Sequence, residues 1–547
     1  MQSPSLWKVR KRMAEPIKKQ NFLQGAALLA LATAVVKLIG AFYKIPLKMI
    51  IGDQGYGYFI TAYDVYNVLL LISTAGLPVA MSRLISQARA LGNQNQVRKV
   101  YRTARAIFLG LGIVSSTFMV LGSRWLANEV LMQPNAAYAI ACLGPCALFM
   151  GIISTFRGFF QGHSNMAPTS ASQVLEAFIK LLVGLGLAFV LTLRYNDVPL
   201  AAAGAILGVT CSCLVSAIFL YSKFKPAYRK LPQSADTADS FGKTAKALLA
   251  IAVPITIGSA GLQLLTVVEQ KLYMGQLLNT LGLSQDTADT MKGIYSMTMT
   301  IYNMPCAFIV PIAISVIPAI SSALTLKEHG TVRETEESAA RVAGLISLPC
   351  TVGLCLLARP IMALLGGYTG EKLELATKLM TVLSLCVFLY AIIQYTNALL
   401  QAHGFAHLPV VNMLLAGITK LAVVYILVGN PNLGILGAPI GSVLSYTAIA
   451  ALNLLSIRRV VTQKPALLKN LLRPVLPAAL MGAAVLLCRI FLTRLLGADG
   501  SRVLLCGVPI AVGAAVYVVG ISLFKTLKKE DCLLLPKGEK IAKLLRL

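Results

Sequence analysis

Eight basic side chains, Lys37, Lys44, Arg83, Arg157, Lys180, Lys271, Arg341 and Lys420, lie within or border long apolar stretches of this chain. Three acids, Asp64, Glu176 and Glu269, stand in like positions. A charge at the depth of an apolar span costs about 2.5–3.5 kcal/mol on insertion scales, so such residues point by default to a ligand or an ion path. A basic surplus gathered on one cavity attracts an anion such as a diphosphate, whereas a cation carrier needs the opposite sign. No catalytic residue emerges, because there is neither a nucleophile elbow nor a phosphate-binding loop. Cys211-Ser-Cys213 and His163, His329, His403 and His407 lack metal-ligand spacing, so neither a metal nor a cofactor is expected.

Each of these charges has a structural reading beside the ligand-binding one. Lys37, deep in the first apolar stretch, either faces a ligand phosphate or pairs with Asp64 on the next helix. Lys44 either joins it or extends its ammonium to the membrane surface. Glu176 and Lys180 stand four apart, the spacing of an intrahelical ion pair, and even so can border a cavity. Lys420 has Ala416 in the equivalent place, so it is either open to a cavity or paired to another helix. Arg157 sits beside Gly158 near a helix end, where it meets either an arriving headgroup or the phosphates of ordinary lipid. Asp64, among Tyr63, Tyr66 and Asn67, is the acid best placed for a coupling ion or a counter-charge. Asp53 reads as a turn residue in Gly52-Asp-Gln-Gly55.

Hydrophobic residues make up 57% of the chain and charged ones 13%, against roughly 45–50% and 25% in soluble domains. The fold class expected is therefore an all-α integral membrane protein. Apolar runs able to cross roughly 30 Å of hydrocarbon predict about fourteen transmembrane helices. Their spans are 22–46, 57–82, 104–127, 136–157, 167–193, 198–222, 246–270, 292–325, 340–366, 373–401, 407–429, 433–457, 472–494 and 501–526. The net charge of +28 would suit nucleic acid, but no soluble basic fold or nucleic-acid motif accompanies it. Most of the 49 Lys and Arg fall in alternate loops, the N-terminal segment and the tail. By the positive-inside rule both termini are then cytoplasmic, and the basic side attracts anionic lipid headgroups. The first span is too long for a cleavable signal, so its retention is expected. The acidic run Glu334, Glu336 and Glu337 reads as a solvated face, and residues 540–547 as an amphipathic tail on the membrane surface.

Part of the sequence occurs twice. Gln161-Gly-His163, Pro168 and Lys180 recur as Gln401-Ala-His403, Pro409 and Lys420. Pro78-Val-Ala80-Met-Ser82 recurs as Pro311-Ile-Ala313-Ile-Ser315, and Gly204-Ala-Ile-Leu-Gly208 as Gly437-Ala-Pro-Ile-Gly441. Three matches in the same order imply an internal duplication. The expected organisation is an N-terminal lobe (1–222), a cytoplasmic linker (223–245), a C-terminal lobe (246–457) and two further helices with a tail (458–547). The two pseudo-symmetric six-helix lobes form a parallel repeat, as in several transporters. The pairs Gly204/Gly208 and Gly437/Gly441 read first as sites of close helix packing.

The motifs Lys37-Leu-Ile-Gly-Ala-Phe-Tyr-Lys-Ile-Pro-Leu47, Gly52-Asp-Gln-Gly-Tyr-Gly-Tyr58, Ile72-Ser-Thr-Ala-Gly-Leu-Pro-Val-Ala80, Phe156-Arg-Gly-Phe-Phe-Gln-Gly162 and Met166-Ala-Pro168 carry a resemblance. They resemble the stage V sporulation protein B and polysaccharide biosynthesis group of the multidrug/oligosaccharidyl-lipid/polysaccharide (MOP) exporter superfamily, which is similar to the MurJ-type lipid II flippases. The resemblance covers essentially the whole chain. It implies transport of an undecaprenyl-pyrophosphate-linked sugar precursor between leaflets by alternating access. It also implies that the two terminal helices form a lipid-facing groove, unless they serve stability alone. Those flippases carry Arg-x-x-Gly-x-x-Arg on the first helix, lining a cationic cavity. Lys37-Leu-Ile-Gly40-Ala-Phe-Tyr-Lys44 is similar, with lysines and one extra residue before the second base. A second-helix arginine of that group has no counterpart in 69–75, and Arg83 is the nearest substitute. Lysine lacks the bidentate fork of arginine, so the phosphate contacts must differ.

The expected substrate-binding set is thus Lys37, Lys44, Arg83, Arg157, Lys180 and Lys420, with Asp64 and Glu176 as coupling or counter-charges. The expected function is a multi-pass flippase of the plasma membrane, not an enzyme, driven by a Na+ or H+ gradient or by the membrane potential. Its partners are a lipid-linked anionic sugar and membrane lipids, without nucleic acid; the sequence does not fix the oligomeric state and is compatible with a monomer. Two alternatives stand: a drug or organic-cation antiporter of the same superfamily, and a non-transporting scaffold for envelope or spore-cortex synthesis. The sign of the buried charges separates the first, and the lack of a charged cavity the second.

Overall fold

Backbone polar groups in a bilayer have no water to bond, so each must be satisfied within its own helix. The computed structural model describes residues 22–74, 76–461, 466–497, 501–527 and 531, and among them it contains helices and turns but no strand. The chain packs as two compact units, one ending at Val267 and the other starting at Val268.

The first unit opens with α1, Phe22–Thr74, broken at Gly52 (φ +71°, ψ −174°), a left-handed conformation that glycine adopts without a Cβ penalty. The Tyr43 and Phe59 rings meet across the break at 5.9 Å. Sixteen residues of straight helix would hold them about 24 Å apart, so the chain folds back on itself. The expected helices 22–46 and 57–82 correspond to the two arms, but the first arm continues through Pro46 to the break. A Lys48–Asp53 ion pair of 3.0 Å ties the corner, so Asp53 is more than a turn residue.

The unit continues with α2 (Gly76–Ala90), α3 (Gln94–Leu121), α4 (Ala137–Gly162), α5 (Ala167–Tyr195) and α6 (Val198–Arg229). The linker expected over 223–245 is corrected by α6, which does not give way at Lys223. Its last turns stay helical because Phe224 and Tyr228 stack on Tyr101 of α3, at 4.6 and 5.2 Å. The polar stretch that follows is fastened to the start of α3, whose first amides have no carbonyl partner in the helix. The Asp236 carboxylate accepts hydrogen bonds from the backbone N–H groups of Asn95 and Gln96, each 3.0 Å. The Asn95 side chain in turn donates to the Ser234 and Asp236 carbonyls.

The helix α7 (Phe241–Gly275) crosses from the first unit into the second. The second unit then holds α8 (Gln285–Thr325), α9 (His329–Leu356), α10 (Gly370–Ala402), α11 (His407–Val428), α12 (Gly437–Val460), α13 (Val475–Leu496) and α14 (Arg502–Leu523). An apolar core of residues such as Val316, Ile320, Leu399, Leu400 and Ile449 joins α8, α10 and α12. The two terminal helices pack on α9, where the Tyr517 hydroxyl donates to the Leu345 carbonyl at 2.6 Å. Arg341 of α9 is buried and bonds the Asp531 carboxylate at 2.8–3.1 Å and the Asn470 side chain at 2.9 Å, which makes it a structural residue. Among the described residues, eleven helices are long and apolar enough to cross a membrane.

The duplication reappears as packing. A Cβ on Gly208 of α6 would lie 2.3 Å from the Cα of Gly184 on α5, and one on Gly441 of α12 would lie 2.6 Å from a Val424 methyl on α11. The same helix pair is closed in each unit by a glycine. Likewise Ser86 donates to the Gly162 carbonyl and Ser321 to the Ala402 carbonyl, both at 3.1 Å. Gly208→Val is expected to cost about 3 kcal/mol through overpacking, while Gly186→Ala, with open space at its Cβ, is tolerated. Thermal unfolding in detergent checks this, and equal melting temperatures for the two variants would contradict it.

A candidate anion-binding site in the first unit

The fold-back in α1 brings Lys44 and Asp64 into one neighbourhood with Lys180 of α5, where the Lys44 ammonium is acted on by both. All three side chains are half-buried. The Lys180 ammonium stands 5.6 Å over the Tyr43 ring, a cation–π contact that holds it in place. Tyr43 is itself anchored, donating to the Ala205 carbonyl at 3.3 Å. Phe59, Tyr63 and Tyr66, at helical spacing on the second arm, extend this aromatic wall with ring contacts of 5.0 and 6.1 Å. Behind it the Cys146 thiol donates to the Tyr66 oxygen at 3.3 Å and touches Cys213 at 3.0 Å.

The expected Glu176–Lys180 pair does not form. Glu176 takes Arg157 of α4 instead, at 3.1 Å, while the Arg157 Nε donates to the Ser172 hydroxyl at 3.2 Å. Ser172 and Glu176 lie one turn apart on α5, so the guanidinium fork reaches both at once, which an ammonium cannot do. Arg157 is therefore engaged inside the unit rather than with a lipid phosphate. Glu176 still acts on Lys180 at longer range. Among the described residues, neither Lys44 nor Lys180 forms an ion pair.

The other expected residues fall elsewhere. Lys37 belongs to α1, but its side chain lies outside the described residues. Arg83 is exposed on α2, away from the buried face of Ala80, Met81, Ile85 and Ala88. Lys420 is paired to another helix, with its ammonium 2.6 Å from Glu269 of α7. The two repeat-mates thus differ: Lys420 is neutralised and Lys180 is not.

Several buried charges escape a sequence reading. Glu336 is not a solvated residue but fully buried, with the His403 Nε2 at 2.7 Å. It shares a helical face with Val332, Ala339, Ala340 and Ala343, a periodicity that could have flagged it. Asp289 and Lys292, three apart on α8, are also fully buried. Lys48, one turn beyond Lys44, is buried in its pair with Asp53. No group of three or more His, Cys, Asp or Glu among the described residues is arranged to hold a metal.

Residues 22–324 match the family described as polysaccharide biosynthesis protein. The chain belongs to that family. Three relatives come from Bacillus subtilis (strain 168). The uncharacterized membrane protein YabM is 29% identical over 97% of this chain and 98% of its own. Stage V sporulation protein B is 24% identical over 95% and 98%, and the lipid II flippase MurJ is 22% identical over 91% and 94%. Among solved structures, lipid II flippase MurJ in an inward closed conformation shares the fold with a TM-score of 0.68 at 15% identity, over 91% of this chain and 98% of that one. An inward-facing multidrug resistance MATE transporter of the MOP superfamily follows at 0.64 and 16% identity, over 79% and 99%. The family member described here is thus a multi-pass, all-helical membrane protein. Its fold is shared by a flippase and a drug transporter, so the fold alone does not choose between their activities.

Removing one member of the Lys420–Glu269 pair leaves the other unpaired, so Lys420→Met is expected to destabilise by about 3 kcal/mol, with recovery in Lys420→Met/Glu269→Gln; melting temperatures of the two variants decide. His163, just past α4, is buried and its Nδ1 lies 2.8 Å from the Phe159 carbonyl. Burial pushes its imidazole down to about 4, against about 6.5 when unfolded. The unfolded chain therefore binds more protons between those values, and stability present above pH 6.5 is lost as pH falls toward 4. A His163→Asn variant is expected to show a flatter melting temperature across that window.

Proposed function

We propose that this protein is a flippase that carries an undecaprenyl-pyrophosphate-linked sugar precursor, lipid II or a related polysaccharide intermediate, across the plasma membrane by alternating access. The observation that carries this reading is the juxtaposition of Lys44 and Lys180, two ammonium groups that act on each other behind an aromatic wall, with neither held in an ion pair. Like charges so placed repel more strongly than in water, and a diphosphate between them removes that cost. Asp64 and Glu176 act as counter-charges that moderate the site when it is empty. Lys37, from the similar flippase motif, completes the phosphate contacts. The relative named lipid II flippase MurJ supports the same substrate class.

The Lys and Arg distribution favours both termini in the cytoplasm, and the resemblance to the flippases implies transport from the inner to the outer leaflet. A Na+ or H+ gradient or the membrane potential supplies the drive. An organic-cation antiporter would need an acidic surplus where this unit presents lysines, and a scaffold would have no use for unpaired charges at depth.

Reconstituted into vesicles with a labelled polyprenyl-diphosphate sugar, Lys37→Ala and Lys180→Gln are expected to slow flipping by about tenfold or more. Lys37→Arg should retain part of the rate, and Lys271→Gln, exposed on α7, all of it. Wild-type flipping by Lys37→Ala and Lys180→Gln would refute the assignment. Complementation of cells depleted of their lipid II flippase separates lipid II from other sugar lipids.

A further inference from the structure

A second basic site lies in the first unit, outside the Lys44–Lys180 neighbourhood. We propose that the cavity of about 460 Å³ between α3 and α6 binds the phosphate headgroup of an anionic membrane phospholipid. Arg102 and Arg105 enter it from α3, and Lys225 and Arg229 from α6, with no carboxylate in its lining. Each pair is spaced by one helical turn, so four cations from two helices line one cavity. None of the four forms an ion pair among the described residues. The acids closest in sequence are committed elsewhere: Asp236 caps the start of α3, and Asp239 bonds Gln96 and Lys243.

Packed aromatic rings form the floor of the cavity. Tyr101 stacks on Phe224 and leans on Tyr228, which joins the two helices, and Arg105 stands over the Tyr101 ring at 5.8 Å. The guanidinium is thereby aimed before any ligand arrives. Basic pockets between the ends of membrane helices suit phospholipid headgroups, and both helices are membrane spans by length and apolarity.

One feature favours a lipid over a soluble phosphate. Leu214, Ile218 and Tyr221 are 41%, 60% and 50% exposed on α6, and with Lys225 they fall at helical spacing on one stripe. An acyl chain lies along that stripe while its phosphate reaches Lys225 and the arginines. Tyr221 sits at the junction, apolar on one side and polar on the other, as aromatic residues do at membrane interfaces. The assignment shares no residue with the proposed flipping site and stands without it.

The test uses the purified full chain in a neutral detergent, with phosphatidylglycerol, phosphatidylcholine and glycerol 3-phosphate titrated separately and binding read by native mass spectrometry. Phosphatidylglycerol is expected to bind at least about tenfold more tightly than either of the others. Arg105→Gln/Lys225→Gln should weaken it by about tenfold, whereas Arg105→Lys/Lys225→Arg should keep it. Arg458→Gln/Arg459→Gln, which removes the same charge from exposed positions in the other unit, should leave it unchanged. Unaltered binding by Arg105→Gln/Lys225→Gln, or equal loss in the charge-preserving or the distant variant, would overturn the site. Glycerol 3-phosphate binding as tightly as the lipid would overturn the lipid in favour of a soluble phosphate ester.

Discussion

Charge held inside an apolar helical bundle has to be balanced, and the way each unit balances its lysines shapes everything else. In the second unit the balance is closed, since Lys420 lies against Glu269 at 2.6 Å. In the first unit Glu176, the acid that would serve Lys180, is taken by Arg157. Lys180 is left over the Tyr43 ring with Lys44 in its neighbourhood. A duplicated architecture thus carries an unduplicated electrostatic state: among the described residues Lys420 has an ion pair and its repeat-mate Lys180 has none.

That state depends on backbone geometry as much as on side chains. Without the left-handed residue at Gly52 the two arms of α1 could not fold back, and Lys44 and Asp64 would lie far apart on one rod. The Lys48–Asp53 pair at the corner and the Tyr43–Phe59 contact across it fix the approach of the arms. Gly184 and Gly208 allow α6 to lie directly on α5, which sets the height at which Lys180 meets Tyr43. In this first unit, the site and the packing are consequences of the same small residues.

Much of this was legible in the sequence, and the reasons are physical. Apolar runs declare membrane helices because burial in lipid is a local property, and Gly204/Gly208 and Gly437/Gly441 announced close packing that the structure bears out. The motifs around Lys37, Gly52 and Phe156 pointed to the family that the chain belongs to. Partner choice was not legible. Glu176 has Lys180 at ideal spacing, yet a guanidinium on another helix competes successfully, and nothing in α5 alone reveals that rival. Lys420 was readable only as one of two alternatives until Glu269 was placed beside it. Glu336 looked like one more charge in an acidic run, whereas its apolar helical neighbours carry it into the core against His403. The end of α6 was not legible either, because Lys223 and Lys225 read as linker, whereas Phe224 and Tyr228 stack on Tyr101 and carry the helix on to Arg229.

The central claim is that the first unit is built to receive a diphosphate rather than an organic cation. Calorimetric titration of the purified protein with a water-dispersible prenyl diphosphate and, separately, with tetraphenylphosphonium addresses it most directly. The account predicts that the diphosphate binds and that Lys44→Gln/Lys180→Gln weakens this binding by about tenfold or more, with no response to the cation. Binding of tetraphenylphosphonium together with indifference to the diphosphate would contradict it.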